Sequence, residues 1–364
     1  MIESRRTFLR TTALLLTTQR FSALRCAWGG GASSEGRTVS TTAQQQGVLR
    51  ALNNATAWIN SPPLTEESLR GKVVLVEFWT FTCINWLRTL PYVRAWAQKY
   101  KEHGLVVIGA HSPEFSFEHN VDNVRREAKS LNVNFPIAVD SDFAIWRGFN
   151  NEYWPALYFV DGKGVVRHEY FGEGAYVDSE RKVQELLTEA GYKGFGRDIV
   201  AVAGKGAEAA ADWGDLRTPE TYVGRARGEN FDSPGGISLN SSGMYSVPSQ
   251  LPLNHWALAG EWKVSDEKAT SLAAGARIVF RFYARDVHLV MGPPVGAKPV
   301  RFRVRVDGQP PGAARGGDVD AQGNGVSTAQ RLHQLIRQPP PISDRRFEIE
   351  FLDSGVEAFV FTFG

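Results

Sequence analysis

Only two cysteines occur in the 364 residues, Cys26 and Cys83, and the second sits where a thiol can react. It follows the apolar run KVVLVEFW (72–79) and precedes INWLRTLPYVRAWAQKYKEHG, where Leu87, Leu90, Val93, Ala97 and Tyr100 recur at helical spacing. Cys83 is therefore expected at a strand-to-helix junction. There the helix dipole and the unbonded N–H groups of the first turn favour a thiolate. Glu77 lies inside the apolar run, where burial would raise its pKa and suit it to accept a proton beside a thiol. An exposed strand face is the other reading of Glu77. Pro155, in YWPALYF, precedes a further strand, and a cis bond there would form a backbone ledge next to the thiol. An ordinary loop proline is the alternative. Trp86 stands where a C-x-x-C would place its second cysteine.

Other chemistries find little support. The seven histidines show no metal-ligand spacing, and no G-x-S-x-G, P-loop or dinucleotide fingerprint occurs, so neither metal nor cofactor is expected. Asp318, Asp320 and Asn324 in DVDAQGNG suggest calcium, but the twelfth position of such a loop is Ala329 instead of glutamate, which favours a plain turn. Arg301, Arg303 and Arg305 would share one face of a strand, to meet an anionic glycan or simply to face water. Trp256 and Trp262 would stack on sugar rings or fill a core.

The elements that must position Cys83 can be read along the chain. A composition 43% hydrophobic and 22% charged fits two globular domains, and a net charge of +2 argues against nucleic acid or a membrane surface as partner. No apolar run reaches about 18 residues, so no transmembrane span is expected. Residues 1–32 read as an export segment. SRRTFLR matches the twin-arginine pattern and is followed by TTALLLTT and GGGASS, although Gln19, Arg20 and Arg25 weaken the apolar region. A misplaced start or a basic tail is the other reading, and Arg25 argues against lipidation of Cys26. Export places the protein in the periplasm or another extracytoplasmic space. Cleavage beyond Cys26 leaves a chain that cannot form an internal disulfide. Residues 33–57 read as a mobile leader. Over 58–192 strands and helices alternate, implying an α/β mixed sheet with helices on both faces. Residues 193–216, rich in glycine and alanine, read as a linker. Over 217–364 the period becomes two, as in VRFRVRV, RFEIEFL and AFVFTFG, which predicts an all-β sandwich.

From Trp58 to Gly191 the chain resembles the thioredoxin-like superfamily in its redoxin branch, through WINSPPLT, FWTFTCIN, EYWPALYFVD and VRHEYFGEG. It is similar to the soluble C-terminal part of DipZ-type cytochrome c biogenesis proteins. That similarity continues through LPLNHWALAGEW, VRFRVRVDG, DVDAQGNG and FEIEFLDSGVEAFVFTFG. The resemblance implies a thioredoxin fold followed by a carbohydrate-binding-like β-sandwich. It puts Cys83 at the attacking-cysteine position, Trp86 at the resolving position and Glu77 at the buried acid. Pro91 falls at the helix-kinking proline and Pro155 at the cis-proline. Trp79, Thr80, Thr82, Asn85, Trp86 and Trp154 are the neighbours expected to shape the site.

Trp86 is the departure from that pattern. A dithiol enzyme uses its second thiol to release the mixed disulfide, and without it an external thiol must attack. The expected function is a monothiol oxidoreductase acting on protein or small-molecule thiols and disulfides of the cell envelope. A non-enzymatic protein with a glycan- or protein-binding β module is the alternative, with Trp86 packed over the thiol. A one-cysteine peroxidase is the third reading. Thr80 stands three before Cys83, as in P-x-x-x-T-x-x-C, but Val76 occupies the proline position and no arginine can be assigned.

Overall fold

The computed structural model describes residues 47–238 and 242–364, with the two-residue strand Arg25–Cys26. Most of the export segment, with the cleavage that decides the fate of Cys26, and most of the leader lie outside the described residues. The first sheet is built around Val73–Trp79 (β2), all seven of whose residues are buried. A strand covered on both faces reads as a continuous apolar run instead of an alternating one. Its companions are Ala57–Ile59 (β1), Leu105–His111 (β3), Ile137–Val139 (β4), Ala156–Val160 (β5) and Val166–Phe171 (β6), in the order β1–β4–β3–β2–β5–β6. The pairs β2–β3 and β3–β4 are parallel and the others antiparallel. The helices are Ile84–Tyr100 (α1), Val121–Ser130 (α2), Ala144–Gly148 (α3) and Tyr176–Glu189 (α4). This is the mixed α/β sheet that the thioredoxin resemblance implies. None of the described helices is long and apolar enough to cross a membrane.

The second sheet is antiparallel throughout. It comprises Thr221–Tyr222 (β7), Ser242–Tyr245 (β8), Trp256–Val264 (β9), Ala269–Ser271 (β10), Ala276–Phe282 (β11), Asp286–Gly292 (β12), Val300–Val306 (β13), Asn324–Ser327 (β14), Arg331–Arg337 (β15), Arg345–Phe351 (β16) and Glu357–Phe363 (β17). The order is β14–β13–β16–β11–β9–β10–β17–β12–β15, with β8 on β9 and β7 on β17. The first half of β9 pairs with β11 and the second half with β8 and β10. The strand turns at Gly260, whose φ of 88° and closeness to Ala276 suit a residue without Cβ. The sheet thereby folds over one core as a sandwich.

Trp256 and Trp262 belong to that core and donate their indole N–H groups to the carbonyls of Glu229 and Ala259, so neither ring is available to a sugar. Arg301 pairs with Asp353 at 2.8 Å, Arg303 donates to Asn324 at 3.1 Å, and Arg305 lies 3.6 Å from Glu348. Asp320 accepts from the backbone and side chain of Asn324, and Asp318 pairs with Arg331, as in a turn.

Two stretches are more ordered than their composition suggests. Within the expected leader, Val48–Asn54 forms a 3₁₀ helix that buries Leu49 and Leu52, two apolar residues submerged in a polar stretch. The segment 193–216 is pinned to both domains. Glu208 pairs with Arg94 at 2.6 Å, and Ala210 accepts from Arg285 at 2.7 Å. The β module also enters the first domain's core, where Val290, Leu332, Phe359 and Val360 pack.

Candidate active site around Cys83

Cys83 is the N-cap residue of α1, in the extended region at φ −72° and ψ 114°. Its N–H donates to the carbonyl of Thr80 at 3.2 Å, and its own carbonyl accepts from the N–H of Leu87 at 3.0 Å. The thiol takes no part in a disulfide, and the residue is only 2% exposed. Pro91 lies inside α1 and cannot donate to the Leu87 carbonyl one turn back. The Trp154–Pro155 bond is cis. Ala156 pairs with Phe78, so Pro155 stands opposite Trp79, at the end of β2 from which the Cys83 loop departs. Trp154 packs into the core against Trp146, with ring centroids 4.5 Å apart.

Trp86 turns inward. Its ring stacks on Trp79 with centroids 4.3 Å apart and planes 27° apart. Trp79 meets His111 edge-on at 4.8 Å, and His111 stacks on Phe81 at 5.6 Å. Gly109 makes room for this packing, since a Cβ there would lie 2.6 Å from Nε1 of Trp79. In the parallel register Gly109 is also the neighbour of Glu77.

Glu77 is fully buried, which excludes the exposed-face reading. Burial pushes its carboxyl up to about 8, slightly opposed by the nearby Trp86 indole, although no hydrogen bond joins the two. The group is therefore mainly protonated at neutral pH. His111 is driven down to about 3 by burial, so its ring is neutral, and neither nitrogen has a hydrogen bond among the described residues. Buried polar groups left unpartnered are costly and call for a functional account.

On the other side of the Cys83 loop the polar groups are paired. Thr82 donates to Glu118 at 2.6 Å, and the second oxygen of Glu118 accepts the N–H groups of Glu114 and Phe115. Burial raises Glu118 to about 7, opposed by the hydroxyls of Thr80 and Thr82; that of Thr80 falls short of hydrogen-bond geometry. The β module holds the same 114–118 segment. Arg227 and Tyr222 bond to Glu114 at 2.9 and 2.6 Å, Glu267 accepts from Ser116, and Phe359 packs on Phe115 and Phe117. From α1 itself, buried Arg88 pairs with Glu173 at 2.9 Å and donates to the carbonyl of Phe363 at 3.0 Å. Asn85, in the first turn, accepts from Thr89 through its carbonyl.

The structure thus gathers Cys83, Glu77, Trp79, Thr80, Thr82, Asn85, Trp86 and Pro155 around the end of β2 and the start of α1. His111, Glu118 and the Arg88–Glu173 pair are additions. Residues 117–133 read from sequence as one helix with a charged outer face, which hides Glu118. The helix in fact begins at Val121, capped by Asn120. Arg88 lies outside the apolar stripe read from the sequence, and it is buried where Glu173 and the carbonyl of Phe363 meet it.

Known proteins resemble both halves. Residues 58–169 match the AhpC/TSA family and residues 218–364 the family described as thioredoxin-like C-terminal domain. Protein DipZ of Mycobacterium tuberculosis is 39% identical over 251 residues, covering 68% of this chain and 35% of that protein. This chain thus spans about a third of the length of the DipZ relatives. The thiol-disulfide oxidoreductase YkuV of Bacillus subtilis is 30% identical over 138 residues, 38% of this chain and 93% of YkuV. The solution structure of a thioredoxin-like protein in its oxidised form aligns with 40% of this chain and 97% of its own, at 31% identity and a TM-score of 0.37.

Proposed function

We propose that this chain, which belongs to the thioredoxin-like redoxin family and has thiol–disulfide oxidoreductases among its relatives, exchanges thiols and disulfides through Cys83 alone. One observation carries this reading. Cys83 caps α1 in the frame of a redox site, while the ring at position 86 is buried against Trp79. Attack by the Cys83 thiolate on a disulfide forms a mixed disulfide and expels one thiolate. The adduct then waits for an external thiol. Glu77 is assigned proton transfer at this site, because a buried carboxyl raised to about 8 can take and return a proton near neutral pH. Pro155 supplies the substrate ledge. The substrates are thiols or disulfides of the cell envelope, reached by twin-arginine export. The Thr80 hydroxyl lies towards Glu118, and no observation favours the peroxidase or glycan readings over exchange.

An aromatic disulfide reagent tests the proposal. A chain carrying Cys26→Ser should take up one adduct, located at Cys83 by mass spectrometry and lost when Cys83→Ser is added. The adduct should persist until thiol is added. Trp86→Cys should release it unaided by closing a disulfide, if that variant still folds by circular dichroism. A folded Cys26→Ser chain that takes no adduct, or sheds it without added thiol, overturns the reading.

A further inference from the structure

Cys83 is only 2% exposed, so a substrate disulfide reaches it only after something moves. The loop that carries it is held from the domain seam. Thr82, the residue before it, donates to Glu118, whose other oxygen accepts the N–H groups of Glu114 and Phe115. At that seam the β module contributes Tyr222, in β7, and Arg227, and a single hydroxyl there serves two carboxyls. Oη of Tyr222 lies 2.6 Å from Oε1 of Glu114 and 3.1 Å from Oε2 of Glu220. A phenol has one proton to give. Glu114 also accepts from Arg227 at 2.9 Å, which marks it as the ionised member of the pair and the stronger acceptor. Arg227 lies over the Tyr222 ring, 3.4 Å from its centroid. The short contact to Glu114 therefore takes the phenol proton. The contact to Glu220 closes only when Glu220 carries a proton of its own and donates it to Oη.

The charges around this triangle leave that proton in place. Burial, with Glu114 nearby, raises Glu220 to about 8, against the pull of Arg227. Behind Glu114, burial raises Glu118 to about 7. On α1, Arg88 is paired with Glu173, and in β17 Glu357 is paired with Lys268. In the segment leading to Glu220, Asp215 and Arg217 both engage Tyr283.

We propose that this shared proton is a latch: Glu220 holds it while the β module is docked on residues 114–118, and its loss slackens the seam and opens the way to Cys83. The latch rests on the thiol-exchange reading for its purpose, since it governs how Cys83 is reached. Without the proton, two carboxylates face one phenol and one guanidinium, and their repulsion drives β7 away from the 114–118 segment. Once undocked, Glu220 returns to the ordinary carboxyl range and gives its proton to water. Docking is thus at full strength below about pH 4.5. It weakens as pH rises, by up to about tenfold per pH unit, until the docked Glu220 itself ionises near 8 and the loss levels off. Slackening releases Glu118 from its partners at 114 and 115, and with it Thr82.

The test follows hydrogen–deuterium exchange in the full chain between pH 5 and 8.5, corrected for the intrinsic rate at each pH. In the wild type, segments 112–119 and 218–228 should lose protection by about threefold to tenfold per pH unit up to pH 8. Glu220→Gln has the shape of the protonated acid, and its amide can donate to Tyr222 at every pH, so both segments should lose distinctly less. Both chains, each also carrying Cys26→Ser, are then treated with the aromatic disulfide reagent. At pH 8 the Glu220→Gln chain should take the Cys83 adduct about tenfold more slowly, and at pH 5 at about the same rate. Hydrogen-exchange profiles that coincide overturn the inference, as does an adduct rate at pH 8 unchanged by Glu220→Gln. No adduct on either chain at any pH refutes the thiol-exchange reading, and the hydrogen-exchange profiles then decide the latch on their own.

Discussion

The two flanks of the active-site helix treat buried polarity in opposite ways. Towards the sheet, Glu77, His111 and the indole nitrogens of Trp79 and Trp86 make no hydrogen bonds among the described residues. Towards the β module, Arg88 meets Glu173, Thr82 meets Glu118, and Glu114 meets Arg227 and Tyr222, all within 2.9 Å. Pairing gives a group a fixed place. An unpaired carboxyl in an apolar setting can instead change its protonation at modest pH. The sheet side therefore holds a near-neutral carboxyl, Glu77, without partners, whereas the module side holds the loop in place and keeps its own near-neutral carboxyl, Glu118, bonded to Thr82.

That contrast can be broken most forcefully at Arg88. Arg88→Met strands a buried Glu173 and should cost about 3–5 kcal/mol in urea denaturation. Adding Glu173→Leu should recover most of the loss. Equal stability of the single and double variants would mean that the pair does not hold the helix.

The sheet side is probed by pH. The folded Glu77 carboxyl titrates near 8 against an ordinary value of 4.5, so the native state keeps its proton longer than the unfolded chain does. Its contribution is fully present below pH 4.5 and declines as pH rises towards about 8, by at most about 1.4 kcal/mol per pH unit. Glu77→Gln should flatten that share of the decline, read from denaturation midpoints between pH 5 and 8. Parallel profiles for wild type and variant would place the carboxyl in a more solvated setting. The smallest effect belongs to the rim of the module side. Glu267→Gln weakens an exposed contact to Ser116 and should cost no more than about 1 kcal/mol. A larger loss would make the rim, and not Arg88, the clamp.

What was legible in the sequence was local. The buried run at 73–79, the helix after Cys83 with its internal Pro91, and the strand after Pro155 are all continuous stretches whose pattern suffices. Period-two alternation likewise revealed the β module and the outward face of Arg301, Arg303 and Arg305. The positions that escaped depend on residues far away in the chain. Arg88 is buried by a carbonyl 275 positions later, and Glu118 reaches back 36 residues to Thr82. The core reading of Trp256 and Trp262, which the structure bears out, comes from how sandwiches usually use tryptophan and not from their neighbours, because alternation does not say which face is covered.

Phe359 packs on Phe115 and Phe117, and with Val290, Leu332 and Val360 it completes a core that belongs to the redox half. The change of sequence character near residue 217 is thus a seam of composition, not of cooperativity. A redox half on its own would carry a bare apolar face beside Glu118. Cutting the chain at that seam would expose Phe115 and Phe117 to water.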